Sequence, residues 1–168
     1  MQLKEINKAR YSKHLRVVFI CIASALIIIT ASTSALLISL FSNPEASYLF
    51  HNLAGVIFAA AIIGFVLNKF RQHVYMHEVA YVWDLKQQLN RIHRKQRKLE
   101  DAIARNDKDA MIIMNFMLRG SKQLYELDDN TITMEDLLIK IQTHDKRMQS
   151  AGLSLSTDSY NPAMLERF

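Results

Sequence analysis

The chain has 168 residues, 21 Lys and Arg against 16 Asp and Glu, a net charge of +5 and one cysteine, Cys21. A single cysteine excludes a disulfide framework within the chain, and two prolines with four glycines exclude long low-complexity linkers and favour helix. A mean hydropathy of +0.01 conceals a segregation foreign to a soluble core: Val17 to Phe41 and Ala46 to Asn68 carry no charged residue, and every charge lies outside them.

In chain order, residues 1–16 form a basic segment carrying Lys4, Lys8, Arg10, Lys13 and Arg16. Residues 17–41, VVFICIASALIIITASTSALLISLF, exceed the roughly 20 apolar residues that cross a bilayer core of about 30 Å, and read as a first transmembrane helix. The run is long for the apolar part of a cleaved leader, and a second run follows it, so a retained span is the preferred reading. Residues 42–52, SNPEASYLFHN, make a short external loop, with a turn or helix start at Asn43-Pro44 and Glu45 suited to a first helical turn. Residues 53–68 hold the second span, whose dense part is Leu53 to Leu67, with Tyr48 and Phe50 suited to the interface. A loop this short makes the spans an antiparallel hairpin. Lysine and arginine flank both outer ends, and the loop has neither, so the positive-inside rule places both termini in the cytoplasm. Gly55 with Ala59, Ala60 with Gly64, and Ala31 with Ala35 give small residues four apart. Such faces pack helices closely in lipid, within the hairpin as the first reading or along a dimer seam as the second.

Residues 69–168 are expected to form a cytoplasmic helical domain. Val82, Leu85, Leu89, Ile92, Leu99 and Ile103 recur at three- and four-residue intervals, with Gln96 in the missing position. They predict one long juxtamembrane helix to about Ala104 with a helix-pairing seam. Tyr75, Tyr81 and Trp83 suit the headgroup region. Asn106 or Asp107 can cap a second helix over AMIIMNFMLRGSKQLYEL, with Asp109 in its first turn and Gly120 marking a kink or a close contact. DDNT, Asp128 to Thr131, breaks that helix; Asp128 and Asp129 read as a turn, not a catalytic pair. Thr133 and Asp136 resemble a capping box that opens a third helix to about Gln149, and Gly152 stops it. The tail STDSYNPAMLERF ends in a short apolar turn able to dock on the helices. Met111, Ile112, Met114, Phe116, Met117, Leu124, Leu137, Leu138 and Ile141 suffice for a modest core if helices two and three fold back on the long one. The methionines read first as core fillers and second as an adaptable binding groove.

Arg91, Arg94, Lys95, Arg97 and Lys98 form a basic peak, RIHRKQRK. It is read first as a solvated face, paired in part with Asp101 and the acidic distal helices, then as a contact for anionic lipid, and last for nucleic acid. On a straight helix Arg91 would stand about 33 Å beyond Lys69 at 1.5 Å per residue. Headgroup charge is screened within about 8 Å, so lipid contact requires the helix to bend. His73 and His77 share a helix face if the helix is continuous, but two histidines without further ligands do not make a metal site. No catalytic, cofactor or metal motif occurs, and none of these residue types is expected to carry one.

The basic N-terminus, the two spans, YVWDLKQQLNRIHRK at Tyr81 to Lys95, YELDDNTIT at Tyr125 to Thr133 and STDSYNPAML at Ser156 to Leu165 resemble a family of small bacterial inner-membrane proteins classed as a domain of unknown function, number 3087. The resemblance covers nearly the whole chain. It implies the bacterial cytoplasmic membrane and carries over no activity and no functional residue. The whole reading is an all-α protein: a two-helix transmembrane hairpin, a long juxtamembrane helix and a small C-terminal helical unit. Its expected role is that of a membrane-anchored, non-enzymatic interaction or scaffold protein, partnered by membrane lipid and by a second copy or another membrane protein. The alternative is an electrostatic sensor that lays its basic segment on anionic lipid.

Overall fold

The structure, a computed structural model, describes residues 1–41 and 48–168; the turn expected at Asn43-Pro44 and Glu45 lies outside the described residues. Among them every regular element is helical: α1 (Lys8–Phe41), α2 (Leu49–Phe70), α3 (His77–His93), α4 (Gln96–Ala104), α5 (Lys108–Leu127) and α6 (Met134–Ser150), with 3-10 turns at Val74–Met76 and Pro162–Arg167. The chain divides into two compact units. One is Ala9–Ala80; the other combines Met1–Lys8 with Tyr81–Phe168.

In the first unit α1 and α2 turn their large apolar side chains outward: Phe19, Ile27 and Phe65 are each about 70% exposed. Apart from Tyr11 near the start of α1, what these helices bury is small. Ala59 is fully buried, with Gly55 and Ser34 beside it. A methyl at Gly55 would collide with Ser34 Oγ and lie 3.0 Å from the Thr30 carbonyl oxygen, so only glycine permits this approach of α2 to α1. Ala60 and Gly64 are exposed, with open space beside Gly64, and Ala31 and Ala35 are exposed too. Of the expected small pairs, only Gly55 with Ala59 therefore lies at the helix contact, and its counterpart on α1 is Thr30 and Ser34.

The expected single helix to Ala104 is interrupted twice. Helix α2 ends at Phe70, and His73 caps the following 3-10 turn, its Nδ1 accepting from Tyr75 N–H at 3.2 Å. The second interruption separates α3 from α4 at Arg94 and Lys95, without glycine or proline. A continuous helix would stack Arg91 on Arg94 and Lys95, and Arg94 on Arg97 and Lys98; each like-charge pair costs a few tenths of a kcal/mol. The break also lets Leu99, Ala102 and Ile103 turn inward, where all three are buried.

In the second unit α3, from Tyr81 on, packs with α4, α5 and α6. Its ends are fixed by backbone geometry. Helix α4 closes in a Schellman motif: Asn106 takes φ 61°, and Asp107 N–H donates to Ala102 O at 3.0 Å. Asp107 then caps α5 by accepting from Ala110 N–H at 3.0 Å, so the two expected cap residues do different work. Helix α5 ends the same way, with Asp129 at φ 54° and Asn130 N–H on Tyr125 O at 2.9 Å. Helix α6 ends at Gly152, φ 69°, with Leu153 N–H on Met148 O at 2.9 Å. Thr133 precedes α6 but makes no side-chain cap, so the expected capping box is not formed.

The apolar series Val82, Leu85, Leu89, Ile92, Leu99 and Ile103 is buried in this unit, none above 7% exposed. It meets α5 of the same chain: a methyl on Gly120 would sit 3.0 Å from a Leu89 methyl and 3.3 Å from one of Leu85. Gly120 marks a close contact in an unbroken α5. Of the expected core, Met111, Met114, Phe116, Met117, Leu137 and Ile141 are buried, Ile112 and Leu124 are half-buried, and Leu138 is exposed because it faces away from α5.

Candidate functional site

The helical unit contains a cleft of about 730 Å³ between α3 and α4 on one side and α6 on the other. Helix α5 is its floor. Met114, Met117, Leu118, Ser121, Leu124 and Tyr125 recur at three- and four-residue intervals and face the cleft. Leu89, Ile103 and Leu137 close it from the flanking helices. Most of these side chains are below a tenth exposed, so the cleft is a narrow crevice, not a broad apolar face. Its rim is charged: Lys86, His93, Lys140 and Arg147 against Glu100. Lys86 is held by Asp128 at 3.0 Å, and Glu100 accepts from Gln96 at 2.7 Å. Lys140 and Arg147, seven apart on the α6 wall, have no carboxylate within ion-pair distance among the described residues.

Below the cleft lies a polar clamp. Asn115, buried within the apolar face of α5, donates to Leu155 O at 3.0 Å and accepts from Arg119 Nε at 2.8 Å; Arg119 also donates to Asp145 of α6 at 2.8 Å. The tail is thereby tied to α5. Tyr160 stacks on Phe116 with ring centroids 4.0 Å apart, and its hydroxyl accepts from Gln88. Burial raises the Tyr160 phenol above its ordinary value, against the opposing effects of Gln88 and Arg91. Leu165 in the last 3-10 turn is buried, and Arg167 pairs with Asp107 and Asp109 at the start of α5. His144 lies 2.9 Å from Met111 O through Nε2, and burial lowers its pKa against the pull of that carbonyl and Asp145.

The N-terminal segment joins this unit. Lys4 N–H donates to Tyr81 Oη at 2.8 Å, Tyr81 donates to Gln123 at 3.0 Å, and Gln123 returns a hydrogen bond to Lys4 O. Lys8 pairs with Asp129. Tyr81, expected in the headgroup region, is instead buried at 8% exposure, and burial raises its phenol pKa against those two hydrogen bonds. Trp83 is 61% exposed.

The basic peak folds into a corner. Arg91 lies in the last turn of α3, Arg94 and Lys95 make the turn, and Arg97 and Lys98 stand in the first turn of α4. Lys95 donates to Leu165 O at 2.8 Å and Lys98 to Phe168 O at 2.6 Å, so two of the five cations are spent on the tail. Arg97 and Asp101, expected to pair, do not; Arg91, Arg94 and Arg97 are exposed. In the first unit Glu78, 3% exposed, receives Arg10 and lies 3.4 Å from His14 Nδ1, while His14 stacks on Tyr75 at 3.8 Å. Burial alone would raise the Glu78 carboxyl; its backbone hydrogen bond, Arg10 and His14 outweigh it and lower the pKa. His73 and His77 do not share a helix face, because the 3-10 turn separates them, and no cluster with metal-ligand composition occurs among the described residues.

The docking of the tail was expected, and Leu165 and Tyr160 are buried accordingly; the N-terminal docking and the Asn115 clamp are the features that the sequence did not announce. Asn115 was the available signal, a polar residue in the middle of MIIMNFML. No curated protein and no solved structure matches the chain. A family model described as Protein of unknown function (DUF3087) matches residues 1–165, and the chain belongs to that family.

Proposed function

We propose that the protein is a two-span, membrane-anchored and non-enzymatic helical interaction protein, with both termini in the cytoplasm of a bacterium. The observation that carries the reading is the inversion of α1 and α2. Their most apolar windows are 0% and 17% buried, whereas the core helix of a soluble protein would be mostly covered. Left in water, such a surface would far exceed the patches that soluble monomers expose. The docking of Met1–Lys8 on the unit that follows α2 supports an even number of crossings, since both then stand on one side of the bilayer. The basic flanks of both helices favour the cytoplasmic side.

The helical unit supplies the interaction surface. Its seam is consumed internally, so a second copy or another membrane protein would meet its outer face, where Ile132 is 92% exposed. The test is extraction of membranes at alkaline pH, combined with accessibility of single cysteines placed in a Cys21→Ser background. Retention in the pellet is expected, with Gln2→Cys and Ser154→Cys both labelled only after the cytoplasmic face is opened, and Ser47→Cys labelled from outside. Release of the protein into the supernatant would end the reading.

The lipid-sensing alternative keeps one specific support. The distance argument against it assumed an unbroken helix, and the chain breaks between Phe70 and His77. Replacing Arg91, Arg94 and Arg97 by Gln would then lower the co-purification of phosphatidylglycerol relative to phosphatidylcholine. Equal retention would remove it.

A further inference from the structure

We infer that the cleft over α5 is a binding site for a free fatty acid, with the carboxylate on the α6 wall and the tail along the methionine floor. The inference goes beyond the anchoring role and does not depend on it, since every residue of the cleft lies in the helical unit. Three observations carry it. The first is shape. A volume of about 730 Å³ falls in the range of roughly 300–1,000 Å³ usual for small-molecule sites. The floor from Met114 to Tyr125 extends over about 16 Å at 1.5 Å per residue, the reach of an acyl tail. The low exposure of Leu89, Met114, Met117 and Leu137 means that a docking helix would cover little new apolar surface.

The second is chemistry. Methionine side chains adapt to an irregular apolar ligand, and two of them, Met114 and Met117, stand one turn apart on the cleft face of α5. The third is charge. Lys140 and Arg147 stand on the same face of α6, unneutralised, while the carboxylate on the opposite rim, Glu100, is already engaged by Gln96. An acyl tail brings one anionic head, and the guanidinium fork of Arg147 matches a carboxylate in two hydrogen bonds.

The test uses the full chain in phosphatidylcholine nanodiscs, free of detergent, with a diazirine-bearing dodecanoate as probe and peptide mapping after illumination. Labelling is expected within Met114 to Tyr125, displaced by dodecanoate at a concentration at least tenfold below that needed for dodecanol. Lys140→Gln with Arg147→Gln, both on the surface, should weaken displacement tenfold, and Met117→Trp should abolish labelling by filling the crevice. Labelling confined to α1 and α2 would overturn the site. So would displacement by dodecanol as readily as by dodecanoate, or no effect of the charge variants. Stronger displacement by a lysophosphatidylglycerol than by dodecanoate would also overturn it, because it would assign the cleft to a phosphate head.

Discussion

The two units of this chain solve opposite packing problems. In Ala9–Ala80 the buried groups of α1 and α2 are, apart from Tyr11 near the start of α1, small: Ala59, Gly55 and Ser34, while phenylalanine, isoleucine and leucine face out. In the unit built from Met1–Lys8 and Tyr81–Phe168 the fully buried set is large, with Phe116, Leu85, Ile92, Leu99, Met111 and Met148 inside. Water drives the second arrangement, because removing apolar surface from it yields roughly 25 cal/mol per Å². On the proposed membrane reading, lipid would offer no such gain between α1 and α2, and their contact would depend on how closely two backbones can approach. The buried polar atoms follow the same division. Thr30 Oγ1, Ser34 Oγ and Glu78 Oε2 lack a hydrogen bond in the first unit, whereas Asn115 and Gln88 are engaged in the second.

The most forceful way to break this contrast is to empty the centre of the helical unit. Phe116→Ala removes a fully buried ring stacked on Tyr160 and should cost about 3–5 kcal/mol. Hydrogen exchange on the full-length protein in a bilayer should then show loss of protection over α3 to α6 with α1 and α2 unchanged. Parallel loss in α1 and α2 would show that the units are not separately stabilised. The reciprocal experiment is Gly55→Val. The added side chain meets the Thr30 carbonyl and Ser34, and overpacking of this kind costs about 1–3 kcal/mol. Thermal unfolding in detergent should register it, while Gly64→Val, facing open space, should stay within about 0.5 kcal/mol of the parent. Equal effects of the two would remove Gly55 as the contact point.

A smaller effect is expected where the tail is tied down. Asn115→Ala strips hydrogen bonds from Leu155 O and Arg119 and should cost about 1–2 kcal/mol. Exchange protection should fall over residues 153–168 before it falls in α5. If the tail stays as protected as before, stacking of Tyr160 and burial of Leu165 hold it without the clamp.

Much of this was legible from pattern alone. Charge-free runs found α1 and α2, and three- and four-residue spacing found the buried faces of α3, α4 and α5. Asn106, Asp107, Asp129 and Gly152 were readable as helix ends because left-handed backbone and side-chain caps have strong residue preferences. Three features were not legible. The break at Arg94 and Lys95 has no glycine or proline and arises from like-charge crowding together with the inward pull of Leu99 and Ile103. The contact of Gly55 rather than Gly64 depends on which face of α2 meets α1, which identical spacings cannot distinguish. The partnership of Lys4 with Tyr81 and Gln123 joins residues far apart in sequence, and nothing local in MQLKEIN marks it.

The mildest prediction uses pH to separate the units. His144 is buried and its pKa is lowered, so the folded unit resists protonation at a value below that of the unfolded chain, about 6.5. Above 6.5 both states are neutral, and the stability of the unit is fully present. As pH falls from 6.5 through the lower folded value, the unfolded chain takes up a proton that the folded unit refuses, and the stability of the unit declines. Glu78 is lowered too, but a carboxylate of that kind acts below about pH 4.5 and in the other unit, so it leaves this window untouched. His144→Gln keeps a donor for Met111 O and has no proton to gain, so it should flatten the slope in α5 and α6 exchange without altering α1 or α2. An unchanged slope in the variant would mean that another group reports the acid sensitivity of the helical unit.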